Sequence, residues 1–383
     1  MEVVFLDNAA TTPMDPRVKE EMIRMMDNFG NPSSTHVSGR GAKVEIERVR
    51  KRIAAAIGAE PGEVFFTSGG SEADNMALFT AVRDLGVKRI ITSCIEHHAV
   101  GHPVEFMSAR GEVEAIFLPV NEHGDIDLDQ LETLLQSGPK TLVSLMFANN
   151  EIGNLNPVEE ISRLCQQYDA LFHSDTVQAI GHLPINVKDV KYDFITASAH
   201  KIHGPKGVGF LYVRSGLKIK PFIQGGAQER NLRAGTENTL GICALGKAFE
   251  IALEEMAADQ AKVEALKGRL IEGVKEAVPE ARFFGRSAQM DASLYTVLNI
   301  AFPKSESNML TFGFDMKGIC VSGGSACNSG ATSLSHVISS LGSWVQDYEP
   351  VRVSLSKFNT DNDVDRFLEA VRELFATQPT SLA

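Results

Sequence analysis

Chemistry is concentrated first around a lysine set among hydroxyl and imidazole groups. The run FITASAHKIHGPKGVGFLYV carries a β-rich stretch into Ser198, Ala199, His200 and Lys201, then a glycine-rich turn and another such stretch. An amine placed this way suits an aldehyde-bearing cofactor or a phosphate, because a Schiff base needs neighbours that control its charge. Three upstream pieces follow the same logic. Residues 67–75, TSGGSEADN, follow a predicted strand and open a predicted helix. Glycines there let backbone N–H groups converge on an anion at Gly70, and Ser71 is expected to cap the helix while binding it. In HSDTVQ, Asp175 falls at a predicted strand end, where α/β proteins place ligands. A carboxylate there can keep a pyridine nitrogen protonated, and Gln178 can donate to a ring oxygen; a plain helix-start cap is the alternative. Finally, EHH at 96–98 offers His97 as a ring lying over a cofactor and carrying protons. Metal ligation by Glu96, His173 and His200 competes with that view, but no HExxH-like spacing supports it.

A second concentration lies near the C-terminal end. VSGGSACNSGATSLSHV at 321–337 sets Cys327 among small hydrogen-bonding residues, including Ser322, Ser325, Ser329, Gly323, Gly324 and Gly330. The expectation is an exposed thiol on a loop able to swing towards a substrate and attack sulfur. Cys94, Cys165, Cys243 and Cys320 have apolar neighbours and are expected in the core. An odd count of five without a CxxC pair argues against a disulfide framework.

These residues must be held by a scaffold of short β-rich runs alternating with amphipathic segments. Strands are predicted at 63–67, 89–93, 114–119, 141–147, 171–174, 194–197 and 208–213, after an extended start at 3–6. Helices are predicted at 16–28, 40–57, 71–85, 128–135, 158–168 and within 240–277. That alternation reads as α/β around a mostly parallel sheet. Beyond the long helix, strands at 294–301 and 351–355 and helices at 333–341 and 361–375 read as a smaller α+β unit. The expected organisation is residues 1–15 serving the small domain and the site, 16–255 as the large domain, 256–376 as the small one, and 377–383 frayed.

Bulk properties narrow the function classes. With 383 residues, 43% apolar and 22% charged, the chain has ordinary globular usage. A formal charge of −12, from 49 acidic and 37 basic residues, works against general nucleic-acid backbone binding. One tryptophan and five tyrosines offer no row of base-stacking aromatics. No run approaches a membrane span and residues 1–13 lack a signal-peptide pattern, so a cytoplasmic protein is expected.

Taken in order, the motifs resemble those of cysteine desulfurases of the NifS/IscS type, among the aspartate-aminotransferase-like (fold type I) pyridoxal-phosphate enzymes. The matching pieces are LDNAATTP at 6–13, GNPSSTHVSGR at 30–40, SGGSEADN at 68–75, EHHAV at 96–100 and NNEIG at 149–153. HSDTVQ, SAHKIHGPKG, QERNLRAGTEN at 228–238, SGGSACNSG at 322–330, SHV at 335–337 and VRVSLSKFNT at 351–360 follow. The resemblance implies a seven-stranded, mostly parallel sheet in the large domain and pyridoxal 5'-phosphate as cofactor. It makes Lys201 the Schiff-base lysine, Asp175 the partner of the pyridine nitrogen, Gln178 that of the ring oxygen and His97 the stacking ring. Gly70, Ser71, Ser198 and His200 would bind the phosphate, and Thr236 would reach the phosphate in the neighbouring subunit of a homodimer. Arg352 would hold the substrate carboxylate, Asn150 would help hold both substrate and cofactor, and Cys327 would carry the persulfide to a protein acceptor, such as an iron–sulfur scaffold or a tRNA-thiolation protein. L-cysteine would be the substrate, no metal is implied, and a selenocysteine or β-eliminating lyase is the nearest rival. Long-loop relatives often read SSGSACTSGSLEPSHVL where this chain has SGGSACNSGATSLSHVI, and its shorter end leaves the partner open.

Overall fold

A computed structural model describes residues 3–304, 309–323 and 334–376. The chain runs β1 (Val4–Phe5), α1 (Pro16–Met26), α2 (Val37–Ala56), β2 (Val64–Thr67), α3 (Gly70–Leu85), β3 (Arg89–Ser93), α4 (His98–Ala109) and β4 (Glu114–Leu118). It continues through α5 (Leu128–Leu135), β5 (Thr141–Ser144), α6 (Val158–Gln167), β6 (Leu171–Asp175), β7 (Phe194–Ser198), β8 (Gly209–Val213), α7 (Gln228–Asn231) and α8 (Thr239–Ala277). The remainder is β9 (Arg282–Phe283), β10 (Val297–Pro303), α9 (Leu310–Met316), β11 (Ile319–Cys320), α10 (His336–Ser339), β12 (Tyr348–Ser354) and α11 (Asp361–Ala376).

The central sheet has seven strands in the order β2-β8-β7-β6-β5-β3-β4. Only β8 runs against its neighbours, pairing antiparallel with β2 and β7, as the expected mostly parallel sheet requires. Strands β2, β5, β6, β7 and β8 are buried along their whole length, which is why they read as continuous apolar runs rather than alternating ones. Parallel strands put their carboxyl ends on one edge, so the turns after β2, β3, β6 and β7 meet there. A three-stranded antiparallel sheet, β12-β10-β9, and the short β1-β11 pair complete the described strands.

Local chemistry explains the helix ends. Asp15 caps α1 by accepting from Arg17 N–H at 2.9 Å, with Pro16 beside it in the first turn. Gly86 ends α3 at φ 73°, where its N–H reaches Ala81 O. The 39-residue α8 packs near its start on α2, Gly246 meeting Val49, and near its end on α11, Gly273 meeting Leu368.

Some expectations shift. The strand predicted at 141–147 ends at Ser144, because Met146 N–H donates to the buried Glu96 carboxylate at 3.1 Å instead of to a ladder. Helix α4 was not expected, since Gly101 and Pro103 look like breakers. Pro103 frees the Ala99 carbonyl, and Asn75 Nδ2 satisfies it at 3.3 Å. The strand expected at 294–301 sits at Val297–Pro303. Cys165 and Cys243 are buried as expected, whereas Cys94 and Cys320 are half-buried. Among the described residues no helix is long and apolar enough to cross a membrane.

Candidate active site

Where the turns after β2, β3, β6 and β7 converge, a cavity of about 300 Å³ opens. Lys201 comes from the 3-10 turn Ala199–Lys201 that follows β7 directly. Its Nζ donates to the carbonyls of Ala9 and, at 3.0 Å, Ala10, both in the DNAATT turn after β1. Gln178 Nε2 donates to the same Ala9 carbonyl at 3.0 Å. The N-terminal turn thus holds the amine and the amide of two distant motifs.

Asp175 ends β6. Its Oδ1 accepts from Val177 N–H at 2.9 Å, as a turn cap does, while the side chain lines the cavity. Burial, and then the nearby Asp74 charge, push its carboxyl up to about 7. His97 caps α4, its Nδ1 accepting from Ala99 N–H at 3.1 Å, so the neutral ring carries its proton on Nε2. Burial, followed by the charge of Lys201, holds this ring down to about 4.

The anion cup differs from expectation in one respect. Gly69, not Ser71, is the cap of α3, and no side chain bonds to the helix start. Ser71 is the second helical residue, because Gly69 at φ 152° takes the extended turn that only glycine adopts freely. The first-turn N–H groups therefore have no side-chain acceptor at the cap, and Ser71 lines the cavity beside them. A Cβ on Gly70 would come within 2.8 Å of Val177 Cγ2, so the cradle excludes any larger residue there. Ser198 and His200 line the same end, with His200 Nδ1 at 3.2 Å from Thr11 Oγ1. Burial, with Lys201 next, also holds His200 down to about 4.

The opposite end belongs to Arg352, on β12 and 1% exposed. Its guanidinium donates through NH1 to Asn150 O at 2.9 Å and through NH2 to Asp7 Oδ1 at 2.8 Å. Its buried Nε has no hydrogen-bond partner among the described residues. Asn150 lines the cavity too.

Sequence reasoning had assigned no role to Asp7 or Asp74. Asp74 lies beneath Asp175, with Oδ1 at 3.4 Å from His173 Nε2, and burial raises it to about 7. The signal was its place inside SGGSEADN, but nothing in the sequence says that it is buried. Glu96, raised chiefly by burial to about 8, accepts from Ser93 Oγ and Met146 N–H. His173 meets Ser144 Oγ at 2.8 Å and Thr196 Oγ1 at 3.3 Å. Those bonds occupy the groups of the competing metal expectation, and among the described residues no three ligands are arranged to hold a metal.

One expected residue is not brought into this cavity. Thr236 lines a separate one of about 160 Å³ with Ser68 and Arg233, beyond α7. There Glu229, Arg230 and Asn231 all take positive φ, and Arg50 pins Glu229 by a buried ion pair at 2.7 Å. Cys327 lies outside the described residues.

The contents fit a phosphorylated pyridine aldehyde. The helix start, Ser71, Ser198 and His200 suit its phosphate, Asp175 its ring nitrogen, Gln178 its ring oxygen and Lys201 its aldehyde. A buried carboxylate with no ion pair among the described residues, Asp175, is what a protonated ring nitrogen would satisfy.

Comparison with known proteins bears on the same site. The aminotransferase class-V family matches residues 4–367. The chain is 42% identical over 375 residues to the cysteine desulfurase IscS of Clostridium botulinum, covering 97% of this chain and 94% of that one. It is 44% identical over 378 residues to the cysteine desulfurase IscS of Methanosarcina thermophila, covering 97% and 92%. A solved NifS-like protein superposes with a TM-score of 0.90 at 36% identity, covering 98% of this chain and all of the other.

Proposed function

The chain belongs to the aminotransferase class-V family and is a pyridoxal-phosphate-dependent cysteine desulfurase, and from that premise we propose which of its residues perform the reaction. The supporting observation is that an amine, a buried carboxyl and a buried guanidinium, those of Lys201, Asp175 and Arg352, share one cavity. Bound there, the cofactor supplies an electron sink for bonds at the substrate α-carbon.

Arg352 takes the carboxylate of L-cysteine with the N–H donors of its guanidinium left over from Asn150 and Asp7. That contact and Asn150 orient the α-carbon towards Lys201, which removes and returns a proton there. Asp175 keeps the proton on the ring nitrogen, an arrangement that costs little because the carboxylate has already been desolvated. His97 enters as a neutral donor through Nε2–H; accepting a proton would mean giving up its cap on α4. The Cys327 thiolate attacks the substrate sulfur. The sulfur–sulfur bond forms as the Cβ–sulfur bond breaks, the electron pair stays with carbon, and protonation completes alanine. Cys327 is left as a persulfide for a protein acceptor, an iron–sulfur scaffold or a tRNA-thiolation protein.

The same reading makes the protein a cytoplasmic homodimer in which Thr236 serves the partner's phosphate, which accounts for its distance from its own cavity. It divides the chain into a large domain at 16–255 and a small one at 256–376 that carries Cys327, with residues 1–15 serving the small domain and the active site.

Peptide mass spectrometry after L-cysteine, with alanine followed in parallel, tests this. One added sulfur, about 32 Da, on the Cys327 peptide together with alanine is the expected result. Cys327→Ala is expected to keep the yellow cofactor and to lose sulfur transfer. An acceptor still charged by that variant would remove Cys327 from its role, and pyruvate in place of alanine would mark a lyase.

A further inference from the structure

Both described ends of the segment that carries Cys327 are bonded to the residues around Arg352. After β11, Ser322 and Arg352 are paired through the backbone. Ser322 N–H donates to Arg352 O at 3.2 Å, and Arg352 N–H donates to Ser322 O at 2.7 Å. On the return side, Ser335 is the N-cap of α10, its Oγ accepting from Ile338 N–H at 3.2 Å. The same hydroxyl donates to Glu151 Oε2 at 2.5 Å. Glu151 follows Asn150, whose carbonyl accepts from Arg352 NH1. Asn299, directly opposite Arg352 in the β10–β12 ladder, donates Nδ2 to Glu151 O at 3.0 Å.

Glu151 is 1% exposed and does not line the cavity. A buried carboxyl is a poor choice for stability alone, since an apolar group of similar volume does as well or better. Among the described residues Glu151 Oε1 has no partner, and neither have the buried Arg352 Nε and Asn299 Oδ1. Unmet groups gathered in one knot mark a place where something other than stability is being served. What the Glu151 side chain does hold is the hydroxyl that starts α10.

We propose that Glu151 is a positioning residue for sulfur transfer: through Ser335 it registers the return end of the Cys327 segment against the Arg352 clamp, as Ser322 registers the outgoing end. The inference rests on the roles given above to Cys327 and Arg352.

The test compares Ser335→Gly, Glu151→Ala and Glu151→Gln holoenzymes with the parent. Glycine is nearly as good an N-cap as serine, so Ser335→Gly removes the donor while sparing α10. Steady-state kinetics give kcat and KM, rapid quenching with peptide mass gives sulfur on Cys327, and amide exchange reports on α10 with and without L-alanine. Ser335→Gly and Glu151→Ala are expected to keep KM for L-cysteine within about threefold and to slow sulfur arrival at least roughly tenfold, the scale of a misplaced reacting group. In the parent L-alanine is expected to slow α10 exchange, and the two variants are expected to lose that slowing. Glu151→Gln, whose amide oxygen still accepts from Ser335, is expected to stay within about threefold of the parent in every readout. Parental sulfur arrival in Ser335→Gly and Glu151→Ala would overturn the proposal, as would Glu151→Gln failing as badly as Glu151→Ala. A parallel Cys327→Ser sample separates the two layers. Sulfur appearing on another cysteine would sink the Cys327 assignment, while α10 exchange still decides the tether.

Discussion

The cofactor end of the cavity is made of turns that each follow a strand of one sheet, so Asp175, Lys201 and the Gly69–Gly70 cup arrive with their own contiguous motifs. The arginine end is made of single residues brought from far apart. The Arg352–Asp7 bond spans 345 positions, the Arg352–Asn150 bond 202 and the Ser335–Glu151 bond 184. The first end is framed by the seven-stranded sheet, with the turn after β1 holding Lys201 and Gln178. The second exists only when β12 and β10 have docked against the turn after β5 and the turn after β1. Turns that follow strands hold the cofactor end, and contacts between distant residues hold the arginine end. Substitutions among the cofactor residues should lower kcat and those that release the Arg352 fork should raise KM, while the Ser335–Glu151 tether is the exception, expected to slow sulfur arrival with KM little changed.

Lys201→Ala is the largest test of that division. It removes the amine expected to bond the cofactor and to move the α-proton, so alanine formation should fall by roughly 1000-fold or more. The loss should appear in kcat with KM changed little. Measured on protein reconstituted with cofactor, more than about 1% residual turnover would move the catalytic amine elsewhere.

Legibility in the sequence follows the same division. Lys201, Asp175, Gln178 and His97 could be found because each lies within a few residues of a strand end inside one short motif. The strands could be found because burial on both faces leaves uninterrupted apolar runs. Ser71 was misplaced as a cap because a serine after two glycines looks like one, whereas the φ of Gly69 decides where α3 starts. Helix α4 was hidden because its compensation for Pro103 comes from Asn75 on another helix. Asp7, Glu151 and Asn299 could not be given roles at all. What they do depends on partners hundreds of positions away, and no spacing rule reaches that far.

At the arginine end, Asp7→Ala tests whether orientation or charge governs capture. Asp7 fixes one arm of a guanidinium that is otherwise almost wholly buried. Without it the fork loses its bearing, and KM for L-cysteine should rise about tenfold while kcat stays within about threefold. Asp7→Asn keeps an acceptor oxygen and should raise KM no more than about threefold. A lowered KM in Asp7→Ala would mean that Asp7 competes with the substrate carboxylate rather than serving it.

The smallest effect is one of stability, and it isolates the burial that distinguishes the cofactor end. In cofactor-free protein, burial and then the Asp74 charge raise the Asp175 carboxyl to about 7, against an ordinary value near 4. Between those values the unfolded chain has released this proton and the folded chain still holds it. The folded state therefore binds more protons, and the contribution of Asp175 to stability falls as pH rises, levelling off above about 7. Asparagine has no proton to lose. The stability of Asp175→Asn relative to the parent should accordingly climb from pH 5 to 7 by at most about 1.4 kcal/mol per unit, then stay level to pH 8. Thermal melts of the two proteins at matched pH give the difference directly, and effects of the buried histidines that do not feel the Asp175 charge cancel between them, His173 being the one that does. Adding the cofactor should reverse the sign, because a protonated ring nitrogen gives the parent carboxylate a partner that asparagine cannot match. A difference that does not vary with pH would mean that water reaches Asp175, and the contrast between a dry chemical end and an assembled capture end would fail at its best-defined residue.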